Sequence, residues 1–484
     1  MGYGEDAPKG TTLTQHNKDS DGSQEITPGI TRRLAQFAAD LSYEELSSEV
    51  VDRAKYLCLD FAGVTLNGSM TDSARAVVKA IEGLNRPGPS IIIGTPKRTL
   101  PEYAAMANGT AFHSIELDDV NNEASLHPGV VAFQTAMAMA DVVPVDGKSF
   151  ITSVVAGYDV MVRLGRASKP AEHYGRGFHP TGTCGAFGAA AVAGSLLGLQ
   201  GDSFAHALGV AGSQTAGSME YLAQGAWTKR LHPGWASHSG IWAALLAQSG
   251  FLGPTTILEG DNGFLRAYSG DADPDEVIRG LGDGFLITQT SIKPHACCRY
   301  NQGPIDCLLD LRQTYNLQPD DVKDNKVGLL SAGFGLVAYP EEQKRNPTSV
   351  VDMQFSMPFS AAVALAYGRA GLSEYSPGVP ERPVVRDLMA KVKCVTDADL
   401  DSTFPGQWRA WVEVDTTDGR HLRSEVTHPK GDVENGLTWD EMKQKFHDLS
   451  APVVSRQRQS EIIDSIEALE GLDDVRLLGA LLAT

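Results

Sequence analysis

The sequence predicts a mainly α protein: an all-helical domain built from the N-terminal part and the C-terminal end, with an inserted α+β domain. Three observations predict this class. Helical periodicity dominates residues 30–288, strand patterns with a hairpin signal occupy 289–432, and helical periodicity returns over 433–484. An α+β segment between two helical segments indicates an insertion into one helical body. Residues 1–29 are polar and predict a disordered tail.

The first half of the chain is expected to form helices with little strand. Ser42 followed by Glu45 is a capping box that opens a helix, and Pro101 suits the first position of another that Gly109 would end. The isoleucine run 91–93 is the only strand-like piece. Five glycines in the last helix of this series favour close helix packing. The expected helices span roughly 31–41, 42–64, 73–84, 101–109, 130–142, 149–163 and 178–198.

The second half changes its pattern after an acidic, glycine-rich stretch at 271–284, which we interpret as a domain boundary. Asp418-Gly419 between two alternating runs predicts a hairpin turn. Strands are expected at 326–330, 392–395 and 408–415, with helices at 301–315 and 361–369 between them, and the final helices at 439–449, 455–467 and 474–482.

Composition and charge exclude several classes of function. A net charge of −19 argues against nucleic acid or an anionic membrane as partner. No apolar run reaches the roughly 18–20 residues that a membrane span needs, and the polar head lacks a signal peptide. Six cysteines without a C-x-x-C pair predict neither disulfides nor a metal site. We therefore expect a cytoplasmic protein without metal or nucleotide cofactor.

The stretch 116–129 (ELDDVNNEASLHPG) carries the strongest signal of a functional site. Glu116, Asp118 and Asp119 precede His127 by eight to eleven positions, between two apolar helical segments. Buried acids and imidazoles are costly unless they are paired, so such a group indicates a site. The alternative is a solvated acidic loop. Two further stretches, 227–234 and 292–306, also place a lysine and a histidine near a helix start, which favours the site.

Five motifs, in this order, give the chain a family resemblance. They are ELDD…LHPG, GFHPTGTCGAFGAAA at 177–191, WTKRLHPGWAS at 227–237, KPHACCRYNQGPID at 293–306 and MQFSMPFSAAVAL at 353–365. From about residue 30 to its end the chain resembles the MmgE/PrpD family, which contains 2-methylcitrate dehydratase, cis-aconitate decarboxylase and an iminodisuccinate epimerase. The resemblance implies a helical domain with an α+β lid, an active site between them, no metal or organic cofactor, and a homodimer.

The resemblance also implies roles for individual residues. Lyase chemistry on a polycarboxylate needs a base, an acid and cations that hold the carboxylates. His127 and His179 fit the acid and base, and Lys229 and Lys293 fit carboxylate binding or proton transfer. The residues expected to bind substrate are Glu116, Asp118, Asp119, His232, Arg299 and, by a looser match in LVAYPEE, Tyr339. A histidine before Pro-Gly can equally be a turn residue, and a lysine at a helix start can equally be solvated.

One departure from the family pattern bears on the substrate. Many members begin the acidic motif with Asp and follow Asp-Asp with Thr, whereas this chain has Glu116 and Val120. Val120 makes the expected pocket more apolar, which favours a substrate with an alkyl arm. The leading prediction is therefore dehydration of 2-methylcitrate or a related alkylcitrate. The alternatives are decarboxylation of cis-aconitate to itaconate, an epimerase, and a non-catalytic scaffold.

Overall fold

The computed structural model describes residues 29–484. Within them it contains twenty-one α-helices and only small sheets, so the predicted mainly α class is confirmed. Among these residues no helix is long and apolar enough to cross a bilayer. The predicted disordered tail, 1–29, lies outside the described residues except for Gly29.

Eleven helices form the first part of the helical body within the described residues. Short polar side chains cap several of them, and those of Ser47, Thr71 and Asp146 each accept a hydrogen bond from a backbone N–H. The predicted capping box at Ser42 exists, but it opens only a 3₁₀ turn. The helices are α1 (Ile30–Asp40), α2 (Ser48–Gly68), α3 (Asp72–Gly83), α4 (Pro101–His113), α5 (Gly129–Ala140), α6 (Gly147–Ala167), α7 (Pro170–Gly175), α8 (Pro180–Leu196), α9 (Gly201–Gly212), α10 (Thr228–Gln248) and α11 (Phe264–Tyr268).

Small residues let α10 pack tightly against α4 and α8. A Cβ atom on Gly109 would lie 2.9 Å from Cα of Gly234, so these glycines permit the crossing of α4 and α10. The prediction that Gly109 ends α4 was therefore wrong, because its role is close packing inside the helix. The crossing brings the start of α10 beside the end of α4, where the candidate site forms.

Two ribbons of two-residue strands lie in the body. One pairs β1 (Ser90–Ile91) with β2 (Arg98–Thr99), and the other pairs β3 (Val120–Asn121) with β4 (Thr290–Ser291), both antiparallel. The strand predicted at 91–93 is shorter than expected, and β2 and β3 are further strands in the same half of the chain. The second ribbon matters for function, because it fixes the loop after α4 to the segment that carries Lys293.

The α+β part is built on one four-stranded sheet with order β6-β5-β7-β8. Its strands are β5 (Val322–Leu329), β6 (Val392–Thr396), β7 (Ala410–Thr416) and β8 (His421–Val426). β5 and β6 are parallel, and the other two pairs are antiparallel. The predicted turn joins β7 to β8, with Gly419 at a φ of 88° that only glycine adopts readily. Its helices are α12 (Arg299–Tyr315), α13 (Ser331–Val337), α14 (Glu341–Arg345), α15 (Val350–Gln354), α16 (Met357–Tyr367), α17 (Pro383–Lys391) and α18 (Ala398–Asp401).

The last three helices return to the helical body. They are α19 (Trp439–Ser450), α20 (Arg456–Glu467) and α21 (Arg476–Leu482). α19 packs on α2, where a Cβ atom on Gly63 would lie 3.1 Å from the Phe446 ring and the Asn67 amide donates to the Leu449 carbonyl at 2.8 Å. These contacts agree with an insertion into one body, although the boundaries at residues 289 and 432 stay predictions.

Candidate active site

The loop that joins α4 to α5 carries most of the acidic groups of the candidate site. Two of its non-glycine residues have left-handed backbones, Glu116 with φ 57° and Ser125 with φ 49°. Such conformations cost on the order of 1–3 kcal/mol each and occur where the surrounding structure enforces them. Both residues are buried, so the strained loop directs polar groups into the protein interior.

Two carboxylates and two lysines form a buried ionic cluster. Lys229, from the first turn of α10, donates a hydrogen bond to Glu116, and Lys293 donates to Glu116 at 3.2 Å and to Asp118 at 3.0 Å. All four side chains are nearly inaccessible to solvent. Burial alone favours neutral carboxyls, but the lysine charges outweigh it and hold the pKa values of Glu116 and Asp118 below their usual range. The charges of the cluster therefore cancel.

His127 is fixed in one tautomer by its neighbours. Its Nδ1 atom lies 2.6 Å from the carbonyl oxygen of Asp119 and 2.8 Å from Oδ2 of Asp118. Both oxygens can only accept, so Nδ1 must carry a proton. In the neutral form of the ring the lone pair is then on Nε2, and the ring borders the cavity described below.

His113, which the sequence analysis missed, is the second imidazole on Asp118. Its Nδ1 atom lies 2.9 Å from Oδ2 of Asp118, and its ring centroid lies 4.9 Å from that of His127. Burial, followed by the charge of Lys229, lowers the pKa of His113 to about 3, so the ring is neutral. The one available signal was its position three residues before Glu116, at the end of α4.

His179 and His232 form a second imidazole pair. Their Nδ1 atoms lie 3.0 Å apart, so one must donate and the other accept. Burial and the neighbouring imidazole of His232 lower the pKa of His179 well below its usual value, and burial together with Lys229 lowers that of His232 to about 4. Both rings are therefore neutral near pH 7.

One group among the described residues has a donor set that could hold a metal ion. The ligand atoms of His113, Asp118 and His127 lie within 4.8 Å of one another. However, the Nδ1 atoms of His113 and His127 lie 2.9 and 2.8 Å from Oδ2 of Asp118, and the Lys293 ammonium lies 3.0 Å from Oδ1 of the same carboxylate. These are hydrogen-bond distances beside a fixed cation, which favours a hydrogen-bonded cluster. The absence of a metal stays a prediction.

A small cavity of about 30 Å³ lies between the helical body and the α+β part. Its lining combines charged or ionisable side chains with large apolar ones. The first kind includes Glu116, His127, His179, Lys229 and Arg299, and the second Val120, Met219, Leu336, Phe355 and Trp408. The two kinds adjoin, since the Lys229 ammonium lies 5.0 Å from the Phe355 ring and the Arg299 guanidinium lies 5.4 Å from the Trp408 ring. The cavity can therefore contact both anionic and apolar parts of one molecule.

Arg299 enters this cavity from the first turn of α12. Its guanidinium donates to Asp432 and, through Nε at 3.0 Å, to Asn122, and it lies 5.4 Å from the Trp408 ring. The sequence predicts substrate binding by Arg299 and leaves a solvated side chain as the alternative. The side chain is buried at the cavity, so the solvated alternative is excluded.

Five predicted site residues do not border the cavity, namely Asp118 and His232, described above, and Asp119, Lys293 and Tyr339. The Asp119 carboxylate faces away from it, accepting from Tyr158 at 2.6 Å and from the Gly129 amide, and burial raises its pKa to about 8. Lys293 lies behind Glu116 with no accessible surface. Tyr339 is 63% exposed on the α+β part. Direct substrate binding by Asp119 and Tyr339 stays a prediction, and in this conformation both side chains face away from the cavity.

Lys445, on α19, is a second residue that the sequence analysis missed. Its ammonium donates to Asp60 at 2.7 Å, to the Leu117 carbonyl at 2.8 Å and to the Lys293 carbonyl at 2.9 Å. It thus links the C-terminal helices to both segments that carry the ionic cluster. Nothing in its local sequence distinguishes it from the other lysines of an amphipathic helix.

Comparison with known families agrees with this arrangement. The model of the MmgE/PrpD N-terminal domain matches residues 32–277, and that of the C-terminal domain matches residues 295–470. The chain belongs to the MmgE/PrpD family. The expected resemblance is therefore confirmed for most of the chain.

Several members of the MmgE/PrpD family are similar to the protein over nearly their whole length. The cis-aconitate decarboxylase-like protein oryM of Aspergillus oryzae is 29% identical, covering 94% of this chain and 97% of its own. The cis-aconitate decarboxylase of Aspergillus terreus is 28% identical, with 97% and 98% covered. That of Mus musculus is 25% identical, with 94% and 93% covered. These relatives are named as enzymes, which supports an enzyme here.

Proposed function

We propose that this protein is a lyase of tricarboxylic acids that works without a cofactor, and that it removes CO₂ from cis-aconitate or a close analogue. The observation that carries the proposal is a cavity lined by both cationic and apolar side chains. Lys229 and Arg299 can bind carboxylates through charge-assisted hydrogen bonds. The apolar side chains disfavour a carboxylate relative to neutral CO₂, which favours decarboxylation of a carboxylate placed against them.

The electrons of this reaction balance without an oxidant or a metal. The carboxylate on the CH₂ carbon of cis-aconitate leaves as CO₂, and the electrons of the broken C–C bond form a new C=C bond. The electrons of the old C=C bond then take a proton at its far carbon, which gives itaconate. One proton is consumed in each turnover. We propose His179 as its donor: if His232 donates the hydrogen bond between the two Nδ1 atoms, the proton of neutral His179 is on Nε2 and available to the cavity.

Dehydration of 2-methylcitrate or another alkylcitrate is the second candidate. It needs a base for a C–H proton, and the bare Nε2 atom of His127 supplies one. The apolar side chain of Val120, which borders the cavity, would accommodate an alkyl arm. The sequence alone ranked this reaction first. The names of the relatives reverse the order, since the three described above are called decarboxylases or decarboxylase-like.

Substrate binding requires a wider cavity than the one seen. The cavity volume of about 30 Å³ is far below the roughly 300–1,000 Å³ that is typical of small-molecule sites. Because the walls come from the helical body and from the α+β part, we expect separation of these two parts to admit substrate. The α+β part would then be the lid that the sequence analysis predicted.

The experiment incubates the protein with cis-aconitate, 2-methylcitrate and citrate and follows CO₂ release and alkene absorbance separately. CO₂ from cis-aconitate, with itaconate as product, supports the leading proposal. A new alkene without CO₂ supports dehydration. No reaction with any of the three overturns both and leaves the epimerase and scaffold alternatives. A Lys229→Met variant controls for contaminating activity.

We also propose a homodimer that uses the outer face of α10. Trp235 and Trp242 are 41% and 45% exposed, and Trp235 stacks on His238 with 5.1 Å between ring centroids. Exposed aromatic side chains on one helix face are typical of an interface. Light scattering should give the dimer mass, and Trp242→Glu should reduce it towards the monomer mass. A monomer mass for the unmodified protein would rule the dimer out.

The cytoplasmic location stays a prediction from the sequence.

A further inference from the structure

The imidazole pair His179–His232 spans the distance between the cavity and the protein exterior. His179 is 2% exposed and borders the cavity. His232 is partly exposed and lies outside the cavity wall. The two Nδ1 atoms are 3.0 Å apart, a normal hydrogen-bond distance. The pair is therefore a continuous two-ring connection from the cavity to the protein exterior.

Both rings are held in place by the backbone. His179 precedes α8, and its N–H donates to the carbonyl of Gly217 at 2.8 Å. His232 lies in the second turn of α10, where a Cβ atom on Gly182 would be 3.2 Å from the Cβ of His232. The same Cβ atom would lie 2.5 Å from the Ala216 carbonyl oxygen, so glycine at 182 permits the close packing of α8 beside His232.

A cavity filled by substrate creates a need for such a connection if the proposed decarboxylation is correct. Each turnover consumes one proton, and a cavity of about 30 Å³ leaves little room for water beside a bound substrate. The buried ionic cluster is not a ready source, because its ammonium groups are paired with carboxylates. The proton must then come from solvent through ionisable groups.

We infer that His232 is a relay residue that supplies protons from solvent to His179 during turnover. The Nε2–H bond of His179 breaks as the C–H bond of the product forms. The Nδ1 proton of His232 moves to Nδ1 of His179, and an acid in the solvent gives a proton to Nε2 of His232. Exchange of the two tautomers then restores the starting state. This inference rests on the proposed decarboxylation.

The groups that face the pair keep it neutral between turnovers. Lys229 on α10 contributes a positive charge, and the ring of Tyr221 lies 6.0 Å from that of His232 and 6.4 Å from that of His179. His113 on α4 faces His179, with 5.8 Å between centroids. A neutral pair can pass a proton in either direction, whereas a permanently protonated ring would hold it.

The test compares His232→Phe with the unmodified protein on whichever tricarboxylate the unmodified protein decarboxylates. We expect kcat to fall roughly 10- to 1,000-fold with little change in KM, because the relay acts on proton transfer and not on binding. Added imidazole should restore part of kcat, and the solvent deuterium isotope effect should rise. His206→Phe is the matched control, since His206 lies on α9 with its Nδ1 atom 2.7 Å from the Gly253 carbonyl.

The outcomes separate this inference from the proposed function. If the unmodified protein releases CO₂ and His232→Phe keeps kcat within about twofold, the relay is wrong and the decarboxylase stands. A lower kcat without imidazole rescue and without a changed isotope effect would also overturn the relay, by showing a structural role alone. If the unmodified protein releases no CO₂, the proposed function fails and the relay inference fails with it.

Discussion

Two groups of ion pairs in this molecule have opposite surroundings. The buried cluster of the candidate site contains Lys229, Lys293, Glu116 and Asp118. On the surface of the four-stranded sheet, Arg423 donates to Glu413 at 2.5 Å and to Glu425 at 3.4 Å, and Arg409 donates to Glu425 at 2.6 Å. Both groups pair basic side chains with carboxylates. Only the buried cluster is removed from water.

The difference in solvation decides what each group contributes. Solvent screens the surface group, and exposed ion pairs of this kind stabilise a protein by roughly 0–1 kcal/mol. In the buried cluster each charge depends on its partners, and removal of one partner typically costs about 3–5 kcal/mol. A buried ion pair gives little net stability over apolar residues, so the buried cluster is better explained by chemistry than by folding.

The largest effect is expected from Lys293→Met. This change leaves Asp118 and one oxygen of Glu116 without their ammonium partner in the interior. The free energy of unfolding, measured by urea denaturation, should fall by about 3–5 kcal/mol. Arg423→Met is the surface control and should change it by less than about 1 kcal/mol. Equal losses of unfolding free energy for the two variants would show that burial does not determine how much each group contributes to stability.

The next effect is on activity. Lys229→Met retains the aliphatic stem beside Phe355 but removes the charge that borders the cavity. A charge-assisted hydrogen bond is worth about 1.5–3 kcal/mol, so kcat/KM should fall on the order of 10- to 1,000-fold. Arg423→Met should remain within about twofold. Near-normal kcat/KM for Lys229→Met would remove this lysine from the proposed site.

A smaller effect is expected on the pH dependence of stability. His113 has a pKa of about 3 in the folded protein against 6.5 for a free imidazole. Between these values the unfolded chain binds more protons, so the contribution of neutral His113 is complete above pH 6.5 and is lost as the pH falls. The raised pKa of Asp119, about 8, acts in the opposite direction, so the measurement must compare variants.

His113→Asn should therefore reduce the acid-induced loss of stability between pH 7 and pH 5, as followed by thermal unfolding. The control is His421→Asn, because His421 is 60% exposed at the side chain and pairs with Asp415 on the lid sheet. That variant should keep the slope of the unmodified protein. Parallel slopes for His113→Asn and the unmodified protein would contradict a buried neutral imidazole.

The smallest effect is expected from Tyr339→Phe. The residue is 63% exposed and does not border the cavity, so loss of its hydroxyl should leave kcat/KM within about twofold. A fall of tenfold or more would show that Tyr339 reaches the substrate in a conformation that differs from this one. It would then restore the role that the sequence analysis expected.

Much of the fold was predictable from local signals. The alternation of the β7–β8 hairpin and its Asp418-Gly419 turn depend on neighbouring residues, and the structure confirms both. The prediction that Gly109 ends a helix was wrong because glycine is needed there for the close approach of Gly234, which is 125 positions away in the chain (234 − 109). A helix-capping preference is weak, and the packing of α4 on α10 overrides it.

The sequence by itself determined that this chain is mainly helical, that it belongs with the MmgE/PrpD proteins, and that acids, lysines and histidines gather around residues 116–129. Chemical type and spacing are sufficient for such statements. Only the tertiary structure decided which of these groups meet. In the folded chain Asp119 accepts a hydrogen bond from Tyr158, Lys293 lies behind Glu116, and His113 and Lys445 contact the residues of the site. The physical reason is that a side chain's direction depends on backbone conformation and on distant partners. Residue identity fixes neither of them.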